Sequence, residues 1–226
     1  MTRAPEALAK TLGYHFDDLA LLKRALTHRS SGKHNNERLE FLGDALLGCV
    51  IAAEIYRLYP RAREGELSRL RASLVRRESL AEVAQSLDIG SYLRLGAGER
   101  KSGGHHRNSI LADCLEAVFG AIYLDGGFET CRDCILNLFA EKLSHPTDLS
   151  ELKDPKTRLQ EYLQSRQQPL PEYSVLEISG DAHNQRFRVQ CSVDETGMPS
   201  TEGVARNRRN AEQKAAARML EQLEAG

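Results

Sequence analysis

Between Asn36 and Leu47 the chain reads Asn-Glu-Arg-Leu-Glu-Phe-Leu-Gly-Asp-Ala-Leu-Leu, and the acids Glu37, Glu40 and Asp44 fall three and four residues apart. On an α-helix that spacing puts all three carboxylates on one face, while Leu39, Phe41, Leu42, Leu46 and Leu47 offer apolar contacts around the rest. An acidic stripe on an otherwise buried helix is costly. Two like charges ~4 Å apart repel by about 1 kcal/mol in water and about 4 kcal/mol at an effective dielectric of 20, and a divalent cation turns that repulsion into attraction. Complementing the helix macrodipole suits Glu37, close to the caps Asn35 or Asn36, but not Glu40 and Asp44, which lie further in.

A second helix, over about 109–124, repeats the device: Asp113 and Glu116 stand three residues apart among Ile110, Leu111, Leu115, Val118, Phe119 and Ile122. Two helices that each present a spaced acid pair can face each other and form a cluster of Glu40, Asp44, Asp113 and Glu116. An all-oxygen ligand set suits magnesium, with manganese able to substitute, whereas zinc asks for histidine or cysteine, neither of which occurs at matching spacing. Carboxylate-held magnesium usually meets phosphate, so phosphodiester hydrolysis leads among the chemistries. No nucleophile elbow, P-loop or dinucleotide fingerprint competes, and no nucleotide cofactor is expected.

The remaining pattern divides the chain. Short helices are expected over 5–12 and 17–26, a long one from Asn36 to Tyr59 before Pro60, others from Glu64 and over 78–87, and a last one over 128–143. Gly96–Gly104 reads as loop only. Within 145–148, His-Pro-Thr-Asp breaks helical periodicity. Beyond it Asp154-Pro155 opens a helix, strands are expected over 173–178, 186–193 and 201–206, and a helix over 210–223 closes the chain. The expected fold is therefore multi-domain: an all-α unit over 1–145, a linker over 146–153, and a small α+β unit of order α-β-β-β-α over 154–226.

Net charge is −1, yet residues 57–77 hold seven arginines against two acids, so a basic surface can coexist with an acidic cavity. Five cysteines, an odd number, fit reduced thiols in a cytosol, and the lone Cys131-x-x-Cys134 is read as structural. No run of eighteen apolar residues and no apolar signal core occur, so no membrane partner and a cytoplasmic location are expected.

Asn36-Glu-Arg-Leu-Glu-Phe-Leu-Gly-Asp-Ala45 resembles the signature of the ribonuclease III family, and Ser109-Ile-Leu-Ala-Asp-Cys-Leu-Glu-Ala117 resembles its second acidic box. The resemblance extends over nearly the whole chain. It implies a homodimeric endoribonuclease that cuts double-stranded RNA, leaves 5′-phosphate and 3′-hydroxyl ends, and processes ribosomal RNA precursors, transfer RNAs and structured messenger RNAs. It implies that Glu40, Asp44, Asp113 and Glu116 are the metal ligands and catalytic acids, and that Glu37 and Glu64 handle the scissile strand. From its position alone, Glu64 is read equally well as a helix cap.

The tail unit resembles a double-stranded RNA-binding domain, a module that reads the A-form minor groove and flanking phosphates over ~16 base pairs. Carried over, its contacts are Thr157, Gln160 and Glu161 on the first helix, His183 in the loop between two strands, and Arg208 and Arg209 at the start of the last helix, where phosphates gain from side-chain charge and helix N-terminus together. Two positions depart from the family pattern: Asn210 stands where a third basic residue is common, which implies a weaker phosphate grip, and His105-His106 precedes the second acidic box. The rivals are a non-catalytic RNA-binding regulator, against which four converging acids speak, and a purely structural helical protein.

Overall fold

The computed structural model describes residues 2–144, 153–181, 184–193 and 199–225. The chain divides into two compact units, Met1–Thr147 and Asp148–Gly226.

The first unit is helical: α1 (Pro5–Thr11), α2 (Leu19–Ala25), α3 (Glu37–Leu58), α4 (Glu64–Val75), α5 (Arg77–Ser86), α6 (Ala97–Lys101), α7 (Asn108–Leu138) and α8 (Ala140–Ser144). Asp18 caps α2, accepting from the Ala20 N–H at 2.9 Å. The helical path of α7 breaks at Gly127, whose φ of +79° glycine adopts without a Cβ penalty, so the stretch holds the two helices expected over 109–124 and 128–143, the second continuing into α8. Around α7 the core gathers Leu111, Val118, Phe119 and Ile122, with Leu47, Ile51 and Ile55 from α3, Leu22 from α2 and Leu80 from α5, all buried. Each such side chain contributes ~1.5–3 kcal/mol by leaving water.

Two expectations are corrected. Residues 96–104 are not all loop, since α6 forms there. The Gly96 N–H donates to the Ser30 hydroxyl at 3.0 Å, Glu99 pairs with Arg107 at 2.8 Å, and a Cβ on Gly104 would run into Glu99, so tertiary contacts override the local glycine content. Phe41 is not one of the core contacts of α3: it is 81% exposed.

The second unit runs α9 (Pro155–Ser165), β1 (Glu172–Ser179), β2 (Arg186–Ser192), β3 (Thr201–Ala205) and α10 (Arg208–Ala225), the α-β-β-β-α order read from the sequence. The sheet is antiparallel in the order β1-β2-β3, with a bulge between Val175 and Glu177. Asp154 caps α9, accepting from the Thr157 N–H at 3.2 Å, and Pro155 follows at the first turn, where its missing N–H costs nothing. Leu159, Leu163, Cys191, Ala215, Met219 and Leu220 form the core between helices and sheet.

Candidate active site and nucleic-acid interface

The acids meet because two glycines let α3 and α7 touch backbone to backbone. A Cβ on Gly43 would overlap the Glu116 carbonyl, and one on Gly120 would overlap the Leu39 carbonyl. The crossing is thus reciprocal, each helix offering one glycine and the carbonyl found four residues N-terminal to it. Glu40 lies one turn from Gly43 on α3, Asp44 follows it, and Glu116 is itself part of the contact.

Glu40, Asp113 and Glu116 each offer a carboxylate oxygen, and the three lie within 4.8 Å of one another, a spacing suited to one metal ion. All three are half-buried, whereas Asp44 is exposed and stands outside that trio. Its charge still reaches the site. Glu116 is pushed up to about 8, first by burial and then by the charges of Asp44, Asp113 and Glu40, with Arg77 opposing. Glu40 is raised by burial and by Asp113, Glu37 and Asp44 against Arg29, and Asp113 is raised by burial against Arg77, His28 and Arg29. Three carboxyls that resist ionisation together form a donor set whose charges Arg77, Arg29 and His28 offset only in part, and a hard divalent cation fits it.

Arg77, Arg29 and His28 were not anticipated, nor were the two glycines. An isolated glycine inside a buried helix is nonetheless a packing signal, and Gly43 sits between Glu40 and Asp44. Beside Asp113 a cleft of about 610 Å³ is lined by His28, Arg29, Lys33, Glu37 and Arg107, among others. Glu37 therefore faces the same cleft as Asp113, its N–H bonded to the Asn35 side chain at 3.1 Å. Glu64 belongs elsewhere within the chain: it accepts from the Ser68 hydroxyl at 2.7 Å and lines a separate cleft with Tyr56, Leu67 and Arg71. His105 and His106 stack against each other, 4.1 Å between ring centroids, and take no part in the acid cluster. Cys131 and Cys134 are free thiols that burial pushes up to about 12 and about 11, which suits the structural reading of the pair.

In the second unit, Thr157, Gln160 and Glu161 share one side of α9. The Thr157 hydroxyl donates to Asp154 at 2.7 Å and Glu161 accepts from Lys153 at 2.6 Å, while Gln160 is exposed. Arg208 donates through Nε to Glu212 at 2.8 Å, and Glu212 also accepts from Lys156 at 2.6 Å. Burial pushes Glu212 up, but those two cations outweigh it and hold the carboxyl below its ordinary range. Arg209 and Asn210 are exposed. His183 lies outside the described residues.

Converging acids in one unit, and in the other a small sheet backed by two helices with arginines at a helix start, define a nuclease coupled to an RNA-holding module. Residues 18–143 match the family described as Ribonuclease-III-like, and residues 155–223 match the double-stranded RNA binding motif. A ribonuclease 3 of Nitrosococcus oceani is 57% identical over 97% of this chain and 95% of its own length, and one of Alkalilimnicola ehrlichii is 55% identical over 99% and 98%. Two solved structures of the nuclease domain of ribonuclease III from Campylobacter jejuni, one described for flexibility in a region involved in dimer formation, align with TM-scores of 0.60. They share 44% and 43% identity and cover 61% and 63% of this chain and 97% of theirs. The chain belongs to the ribonuclease III family and is a double-stranded-RNA-specific endoribonuclease. Among the described residues no helix is long and apolar enough to cross a membrane.

Proposed function

We propose that the chain hydrolyses duplex RNA with a divalent metal, magnesium or in its place manganese, leaving 5′-phosphate and 3′-hydroxyl ends. The observation that carries this reading is the convergence of Glu40, Asp113 and Glu116 from α3 and α7 to within 4.8 Å. With Asp44 they are the metal-holding and catalytic acids, and Glu37 and Glu64 handle the scissile strand. The chemistry such an ion supplies is charge: it favours ionisation of the attacking water and offsets charge building on the leaving 3′ oxygen. The protein's part is to hold four carboxylates on a rigid crossing and to release the proton that Glu116 retains when no cation is present.

Residues 1–145 form the catalytic domain, 146–153 the linker and 154–226 the RNA-binding domain. In the last, Thr157, Gln160, Glu161 and His183 face the minor groove, and Arg208 and Arg209 face phosphates. The working form is a homodimer, so that each strand of a duplex meets one acidic centre. Support comes from α3, where Phe41 and Tyr56 are 81% and 73% exposed and Ala45 and Cys49, also exposed, extend the same apolar stripe. Ribosomal precursors, transfer RNAs and structured messenger RNAs in the cytoplasm are the substrates.

The test incubates purified protein with a long perfect RNA duplex, with and without magnesium, and sizes the products and their ends. Short duplexes with 5′-phosphates, formed only with the metal, are expected. An intact duplex in magnesium and in manganese would leave a binding protein without hydrolysis.

A further inference from the structure

Arg186 opens β2, and Arg206 directly follows β3. The ladder between these strands sets Val189 opposite Gly203 and Phe187 opposite Ala205, so one further step of the same antiparallel register sets Arg186 opposite Arg206. Like charges directly opposite across two strands destabilise a sheet. Neighbouring arginines are neutralised: Arg188 pairs with Glu202 at 2.6 Å and Arg208 with Glu212 at 2.8 Å. Among the described residues neither Arg186 nor Arg206 has an acidic partner of this kind, and both are exposed.

A third cation joins them. Lys214 on α10 donates to the Val204 carbonyl at 3.1 Å, a single bond for a group with three donors. Arg186, Arg206 and Lys214 line one cleft of about 630 Å³ together with Asn210 and Gln213, and among the described residues its walls carry no acid. The repulsion among three cations within one cleft is relieved by an anion, and two guanidinium forks beside an ammonium suit the oxygens of a phosphodiester.

We infer that this cleft seats a backbone phosphate of the bound RNA duplex, separately from Arg209, and that it carries more of the salt-dependent affinity than Arg208. The inference rests on the second unit's being the duplex-RNA grip. Arg208 contributes less because its charge is shared with Glu212, which also holds Lys156. Asn210 then loses little as a departure from a basic residue, since the cleft it lines already holds three cations.

The test measures binding of the full chain to a perfect RNA duplex of about 20 base pairs, slightly longer than the ~16 that one such module covers. Fluorescence anisotropy without divalent metal keeps the duplex intact, and the slope of log affinity against log salt counts released counterions. Arg186→Ala, Arg206→Ala and Lys214→Ala should each flatten the slope by about one unit, and the triple variant by about two to three. Arg208→Ala should flatten it less than any of the three, Arg188→Ala not at all, and the charge-keeping Arg186→Lys and Arg206→Lys should hold the wild-type slope. Removing one of two opposed charges should leave the melting temperature of the free protein unchanged or raised, which separates lost contacts from lost folding.

A triple variant with the wild-type slope would overturn the inference while the RNA-grip reading stands. So would an Arg188→Ala loss as large as that of Arg206→Ala, because bulk charge would then explain both. Wild-type protein with no salt-dependent duplex binding would overturn the grip reading as well.

Discussion

At the scale of single residues, Glu116 couples chemistry to pH. Its carboxyl is pushed from an ordinary 4.5 to about 8. The sign follows from proton counting. Below about pH 4.5 both folded and unfolded chains carry this proton, and no penalty exists. Between about 4.5 and 8 only the folded state keeps it, so the stability of the metal-free protein falls as pH rises through that window. Glu40 and Asp113, also raised, act in the same direction. Glu116→Gln is therefore expected to abolish cleavage with duplex binding nearly unchanged, and to raise the metal-free melting temperature at pH 8 by a few degrees while leaving it unchanged at pH 4. Scanning calorimetry at the two pH values checks the second part, and a variant cutting at the wild-type rate would remove Glu116 from the site. Because an ion needs ionised ligands, magnesium affinity should climb with pH and level off near 8, with protons released on binding. Titration calorimetry in buffers of different ionisation enthalpy reads that release.

At the scale of elements, the α3–α7 crossing is the scaffold of the site. Gly43→Ala should cost at least about 1–3 kcal/mol, the usual range for overpacking, because the added carbon meets backbone and cannot be relieved by a side chain turning away. Gly98→Ala, where a Cβ meets nothing within 4 Å, should cost nothing, and urea unfolding of the pair measures the difference. The acid pairs were legible because helical periodicity alone puts residues 40 and 44 on one face and 113 and 116 on another. That the two faces could meet was expected from the acids and the family resemblance, but how they meet was not legible, since it depends on two glycines in different helices whose contact no local pattern reports. The short helix α6 was missed for the same reason: its support comes from Ser30 and Arg107, distant in sequence or outside the glycine-rich run. In the tail unit, alternation in β2 and the Asp154-Pro155 start were enough to set the element order, whereas the pairing of Arg208 with Glu212 became visible only once α10 was built.

At the scale of the whole molecule, α3 presents acids on one side and an exposed apolar stripe through Phe41 and Tyr56 on another. Phe41→Asp should convert the proposed homodimer into monomers, read as a halved mass in sedimentation equilibrium, with the fold of the chain retained because the side chain is 81% exposed. An unchanged dimer mass would place the contact elsewhere. Reading Phe41 as core from the sequence followed from treating every apolar residue of a buried helix as inward, and an apolar residue on an exposed face leaves the same local composition as one in a core. Glu40 and Phe41 are consecutive residues of one rigid rod, so the backbone cannot carry one away without the other. In the proposed homodimer self-association and cutting are thereby geared together: diluted well below the point where the two copies separate, the enzyme should lose turnover per chain, and the initial rate should there depend on the square of the amount added.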